Sequence, residues 1–245
     1  MRAMLWWRLS RQKGLMLLLL AALLLVAIQL PGLDRLTALL FLAGLAQGAL
    51  WGTLGLFFAL YRRDARRAAR GELGMLFLLP AGPTRYALAQ AAEYLFWALF
   101  LEGGLLGIGA LAVGRFYPEA PGELLRLGLY LGFSLLLPFL GLVQLAAATD
   151  AAYRLGRVGG VIATVVFLGI PFGVGKLFEL ADAEALMRLG PRFPLGDFGW
   201  LLAQLPGLSF TRLPVELPAW PLFAGGLLYL GFLALALRIY HEAEL

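Results

Sequence analysis

Apolar residues run along this chain in long unbroken blocks separated by short polar segments, with no alternation of inward and outward positions. The blocks fall at about 14–30, 36–60, 88–114, 124–148, 158–178 and 219–239. Each comes close to or exceeds the roughly 20 residues that a helix needs to cross the hydrocarbon core of a bilayer. A helix bonds its own backbone groups internally, so it can stand in lipid where an open strand cannot. The missing period-2 pattern excludes a transmembrane barrel. The expectation is an all-α integral membrane protein: one domain over 1–245 with six transmembrane helices.

The segments between blocks refine this picture. Residues 1–13, MRAMLWWRLSRQK, mix basic side chains with paired tryptophans, which suits a short interfacial helix at the headgroup level. A cleaved signal peptide fits less well, because the following run is long and Ala27-Ile28-Gln29 lacks a small-x-small cleavage pattern. Residues 31–35 make a tight turn, and residues 61–87 hold the most polar stretch. Residues 179–218 form a long loop. Its apolar cluster, with Phe198, Trp200, Leu201, Leu202, Leu205, Leu208 and Phe210, is too short to span and predicts a re-entrant or interfacial helix.

Composition agrees with the blocks. Hydrophobic residues make up 61% of the chain and charged ones 14%, where a soluble domain carries about a quarter charged; the mean hydropathy is +0.83. The net charge of +5 does not call for nucleic acid, because the basic residues flank the apolar blocks. The side holding both termini, the second-to-third link and the fourth-to-fifth link carries 13 Lys and Arg, against 7 on the other. That asymmetry predicts cytoplasmic termini in the cell inner membrane. Cysteine is absent and His241 is the only histidine. Thiol nucleophiles, Ser-His pairs and multi-histidine metal sites are therefore unavailable, and no metal, cofactor or catalytic residue is expected. The string GIPFGVGKL at 169–177 has one residue too many between its glycines, ends in Leu177 where a magnesium-binding hydroxyl is needed, and lies inside an apolar block. It is not a nucleotide site.

Residues 62–85 read RRDARRAARGELGMLFLLPAGPTR: an arginine run, a short apolar stretch, a proline and another arginine. The apolar stretch is too short to cross, so a helix there lies flat and needs cover from lipid or from a partner. Together with the entry helix, the six spans and the long loop before the last span, this order of parts resembles the permease subunit of type-2 ABC exporters. In that family the second-to-third loop often holds a Gly, a leucine run, then Pro and Arg, and acts as the coupling helix. Here Gly71, Met75 to Leu79 and Pro80 match; Glu72 and Gly74 stand where a hydroxyl residue and an acid are common, and Arg85 comes two residues late. The resemblance implies that Arg66, Arg67, Arg70, Glu72, Met75, Phe77, Leu79, Pro80 and Arg85 form the contact with a separate ABC ATPase subunit. That subunit would bind ATP and magnesium, and a second permease copy or paralogue would complete the pathway. GRVGGVIATVVFLGIPFGV at 156–174 is also similar to the Gly-Gly-then-Pro pattern of the haem-exporter B subunit of cytochrome c maturation.

Other residues keep two readings. Gly44, Gly48 and Gly52 share one helix face and permit close approach, either at a subunit interface or between helices of one chain. Glu102 lies near the middle of the third span, where a charge costs about 2.5–3.5 kcal/mol. It either lines a substrate path or proton relay, as in an ion-coupled carrier, or is protonated or bonded to Gln47 or Gln144. Glu93 is expected at the interface. Pro138 and Pro171 should kink their spans, and Lys176 should snorkel to the headgroups. The substrate is not legible.

Overall fold

The computed structural model describes residues 2–10, 12–70, 82–153, 161, 190–204 and 215–242. These are mostly helical. Helix α1 (Arg2–Ser10) leads into α2 (Lys13–Ile28), and a 3-10 turn (Leu30–Gly32) reverses the chain into α3 (Arg35–Ala69). Next come α4 (Gly82–Gly114) and α5 (Ala120–Leu131). A π-helical segment (Gly132–Leu136) carries α5 without a break into α6 (Leu137–Tyr153). Strands β1 (Arg192–Gly196) and β2 (Val215–Pro218) flank a 3-10 segment (Asp197–Gln204), and α7 (Trp220–Glu242) ends the described chain.

Among the described residues, five stretches are long and apolar enough to cross a membrane: Lys13–Gly32, Arg35–Arg67, Thr84–Gly114, Ala120–Ala152 and Trp220–Glu242. The expected fifth span at 158–178, with Pro171, Lys176 and most of the 156–174 pattern, lies outside the described residues, as do 71–81 and 205–214. Tyr153 ends α6 at the end of the bundle that carries α1, whereas Gly190 precedes the hairpin at the opposite end.

Element boundaries differ from the sequence reading where tertiary contacts extend a helix. Helix α3 continues nine residues beyond the expected limit of 60, through RRDARRAA. Ala and Arg are strong helix formers, and Asp64 in this stretch is buried against other helices rather than solvated. Helix α4 likewise starts at Gly82, not 88, and carries Tyr86 and Ala87 into the core.

Pro138 acts through the π-helical segment. A proline lacks an N–H and its ring presses on the carbonyl four residues back; the wider π-helical turn just before it relieves that contact. Here Ser134 Oγ donates to the Tyr130 carbonyl at 2.6 Å. The bulge also pushes the Phe133 carbonyl towards α7. A Cβ on Gly225 would lie 1.9 Å from that oxygen, so only glycine permits this helix crossing.

The core runs along the bundle. Leu50, Leu54 and Phe57 of α3 meet Tyr94, Trp97 and Ala98 of α4 and Phe139, Leu140 and Val143 of α6. Helix α2 buries none of its residues and rests on α4, where Leu23 covers Gly104. An apolar surface of this kind is stable only in lipid or against another protein.

In the described part of the long loop, the apolar cluster is packed onto the bundle. Phe198 and Leu201 sit in the 3-10 segment, and with Leu195 and Leu217 they pack onto Leu42, Val113, Leu124 and Leu127 as a buried cluster. An antiparallel hairpin pairs Phe193 with Leu217, and a bulge falls between Pro194 and Gly196. Gly196 has φ +74°, and a Cβ there would lie 2.2 Å from the Glu123 carboxyl carbon. Glu123, in the first turn of α5, accepts the Phe198 N–H at 3.0 Å.

Candidate functional site

Two features stand out from the apolar bundle: a buried charge network near the amino terminus, and a cavity deeper in the membrane-spanning part.

The network is assembled by helical spacing. Arg8 in α1 and Gln12 just after it are four residues apart, Tyr61 and Asp64 of α3 three, and Tyr86, Gln90, Glu93, Tyr94 and Trp97 of α4 follow intervals of three or four. Each set shares a face. Arg8 Nη2 donates to Asp64 Oδ2 at 2.6 Å, and Arg8 Nε donates to Glu93. Its guanidinium carbon also lies 4.9 Å from the centre of the Tyr86 ring. Arg63 Nη1 and Nη2 hold Glu93 at 2.7 and 3.0 Å, and Arg63 Nε donates to Asp64 at 3.0 Å. Gln12 donates to Glu93; Gln90 Nε2 and Tyr94 Oη donate to Asp64 at 2.8 and 3.1 Å. Tyr240 of α7 reaches Gln90 Oε1 at 3.5 Å, and Tyr61 donates to Asp150 of α6.

Arg8 and Glu93 are 0% exposed and Asp64 3%. Ions this deep persist only when paired and hydrogen-bonded. Two arginines balance two carboxylates here, with Arg67 3.8 Å from Asp64 as a weaker third cation. Burial by itself works against the charge on Arg8, but Asp64, Tyr86 and Glu93 outweigh it and hold its pKa well above the ordinary value. Mechanically, the network fastens α1 to α3 and α4 and reaches α7 through Gln90.

Glu93, expected at the interface, is therefore a fully buried member of this network. Arg8, in the amino-terminal helix, is likewise fully buried. Asp64, Gln90 and Arg63 are further members that the sequence reading did not single out. The signals were a single acid inside an arginine run and a polar stripe at three-to-four spacing on an otherwise apolar helix.

The expected coupling residues stand beside this site. Arg66, Arg67 and Arg70 close the end of α3, and Arg85 is exposed in the first turns of α4. Glu72, Met75, Phe77, Leu79 and Pro80 lie outside the described residues.

The second feature is a cavity of about 580 Å³ between α4 and the continuous α5–α6 helix. Among the described residues, Glu102 is its only charged lining residue; the rest are Leu, Phe, Gly, Ala and Pro. Nine residues separate Glu102 from Glu93, about 14 Å along a helix. Glu102 makes no hydrogen bond or ion pair among the described residues. Neither amide proposed for it serves: Gln47 accepts from Trp51 Nε1 at 2.7 Å, and Gln144 is buried beside Tyr229.

Within the glycine stripe, Gly52 and Gly48 face Leu101 and Leu105 of α4 at 3.3 and 3.8 Å, which is packing inside one chain. Gly44 has open space. Among the described residues no group of three His, Asp or Glu is placed to hold a metal ion.

No protein-family model, curated protein or solved structure matches the chain, and its class follows from its own helices, which are those of a membrane-embedded protein.

Proposed function

We propose that this chain is the permease subunit of an ATP-driven ABC exporter. It forms half of a translocation pathway, together with a second copy or a paralogue, and is moved by a separate ATPase subunit that binds ATP and magnesium. On this reading the network end faces the cytoplasm, both termini lie there, and the membrane is the inner one.

The Arg8–Asp64–Glu93 network carries the reading. Helices α3 and α4 enter and leave residues 71–81, the segment that resembles a coupling helix. Buried charge pairs tie both to α1 near those junctions. A force applied between α3 and α4 is then shared by three helices instead of being lost in one loose loop. The exposed placement of Arg66, Arg70 and Arg85 around the same junctions supports a basic surface for a partner.

The test is co-purification with the ATPase encoded beside this chain, followed by ATP hydrolysis in lipid. Binding and stimulated hydrolysis are expected, and both should fall in Met75→Glu and Leu79→Glu. Binding that ignores these substitutions overturns the proposal.

One observation favours a second reading, an ion-coupled carrier: Glu102 stands alone in a membrane-embedded cavity. Transport in vesicles without any ATPase, abolished by collapsing the proton gradient, would select it.

A further inference from the structure

We propose that the Glu102 cavity is a binding site for a lipophilic cation: a molecule with one positive charge shielded by several apolar groups. Its volume of about 580 Å³ falls within the roughly 300–1,000 Å³ of small-molecule sites.

The lining sets the chemistry. Leu95, Leu106, Leu124, Leu136 and Leu140 present hydrocarbon, and Glu102 supplies one carboxylate with no cation beside it among the described lining residues. A zwitterion or sugar would leave polar groups unpaired against these walls, which is costly. An anion would meet Glu102 with like charge. A neutral apolar molecule would fill the space but leave the carboxylate uncompensated. A lipophilic cation covers the walls and neutralises the acid together, so that each charge offsets part of the other's burial cost.

Access is lateral. Leu99 and Leu125, on the two sides of the cavity, are 69% and 65% exposed. The opening therefore faces the apolar surroundings, from which such a molecule arrives after partitioning into the bilayer. Gly103 and Gly107 add room on the α4 wall, and a Cβ at either would meet nothing within 4 Å. That the ligand is cargo rests on the exporter reading; that it binds rests on the cavity alone.

The experiment uses the full chain in nanodiscs of uncharged lipid, without ATPase, and radiolabelled tetraphenylphosphonium, with empty nanodiscs subtracted. Saturable binding is expected for the unaltered chain, and radiolabelled tetraphenylborate, similar in shape but anionic and assayed in a separate sample, should show none. Glu102→Gln removes the charge and Gly107→Leu fills the cavity while keeping it. Each should weaken binding at least about 10-fold, equivalent to 1.4 kcal/mol. No saturable binding of the cation to the unaltered chain, equally tight saturable binding of the borate in its separate sample, or unchanged cation binding in either variant would overturn the proposal. Loss of ATPase association with this binding intact would instead sink the exporter reading alone.

Discussion

Replacing Arg8 with Met removes the cation that bridges α1 to α3 and α4 while keeping most of the side chain's length and apolar stem. In the native protein that guanidinium makes charge-assisted bonds to Asp64 and Glu93 and lies over the Tyr86 ring. Bonds to charged groups contribute about 1.5–3 kcal/mol each, and a desolvated cation–π contact up to about 2 kcal/mol. Removing one partner of a buried pair typically costs about 3–5 kcal/mol, because the other charge is left buried and unpaired. Arg8 is fully buried, so no allowance for solvent screening applies. After Arg8→Met, Arg63 must serve both carboxylates, with only the weaker Arg67 contact at Asp64 to assist it. Adding Glu93→Gln leaves Arg63 to Asp64 alone, at 3.0 Å. The single variant should therefore lose about 3–5 kcal/mol, and the double variant should be more stable than the single. Reversible unfolding in mixed detergent–SDS micelles measures both. A loss under about 1 kcal/mol for Arg8→Met, as at an exposed pair, would refute the reasoning. So would a double variant whose losses simply add.

Gly225→Ala should destabilise by at least about 1–3 kcal/mol, the cost of overpacking, because its methyl group meets the Phe133 carbonyl. Gly226→Ala, with nothing within 4 Å, is the neutral control in the same thermal-unfolding assay. Asp34 caps α3 by accepting the Thr37 N–H at 2.9 Å. The Thr37 hydroxyl first, and then its backbone N–H, hold the Asp34 carboxyl below its ordinary value. A group depressed on folding contributes stability above its unfolded pKa of about 3.9, and loses it as pH falls through the lower folded value. Asp34→Ala should therefore lower the unfolding temperature at neutral pH, with the difference from the native chain shrinking on acidification.

Several features of this chain were legible one residue at a time. Leucine runs declare membrane spans because twenty apolar residues have few other stable environments. The arginine cluster after the second span, the lone Glu102 and the proline at 138 are each visible as departures from that background. What they do is less legible, because it depends on residues far away in the chain. Asp64 reads as part of a solvated run until Arg8 of α1 and Gln90 and Tyr94 of α4 are brought against it. Pro138 signals a kink; that the kink takes the form of a π-helical segment matched by Gly225 requires knowing which helix lies opposite. The loop cluster around Phe198 and Leu201 has the composition of an interfacial helix, but Gly196 and Glu123 turn it into a hairpin-bound 3-10 segment packed on the bundle.

The division follows from the range of the forces. Transfer of side chains into lipid is a local, additive quantity, so the class of the protein, its spans and its uneven charge follow from the order of residues alone. Ion pairing and close packing are pairwise and vanish within a few ångströms. The burial of Arg8, the isolation of Glu102 and the closeness of Phe133 to Gly225 were thus decided only once α1, α3, α4, α6 and α7 had come together.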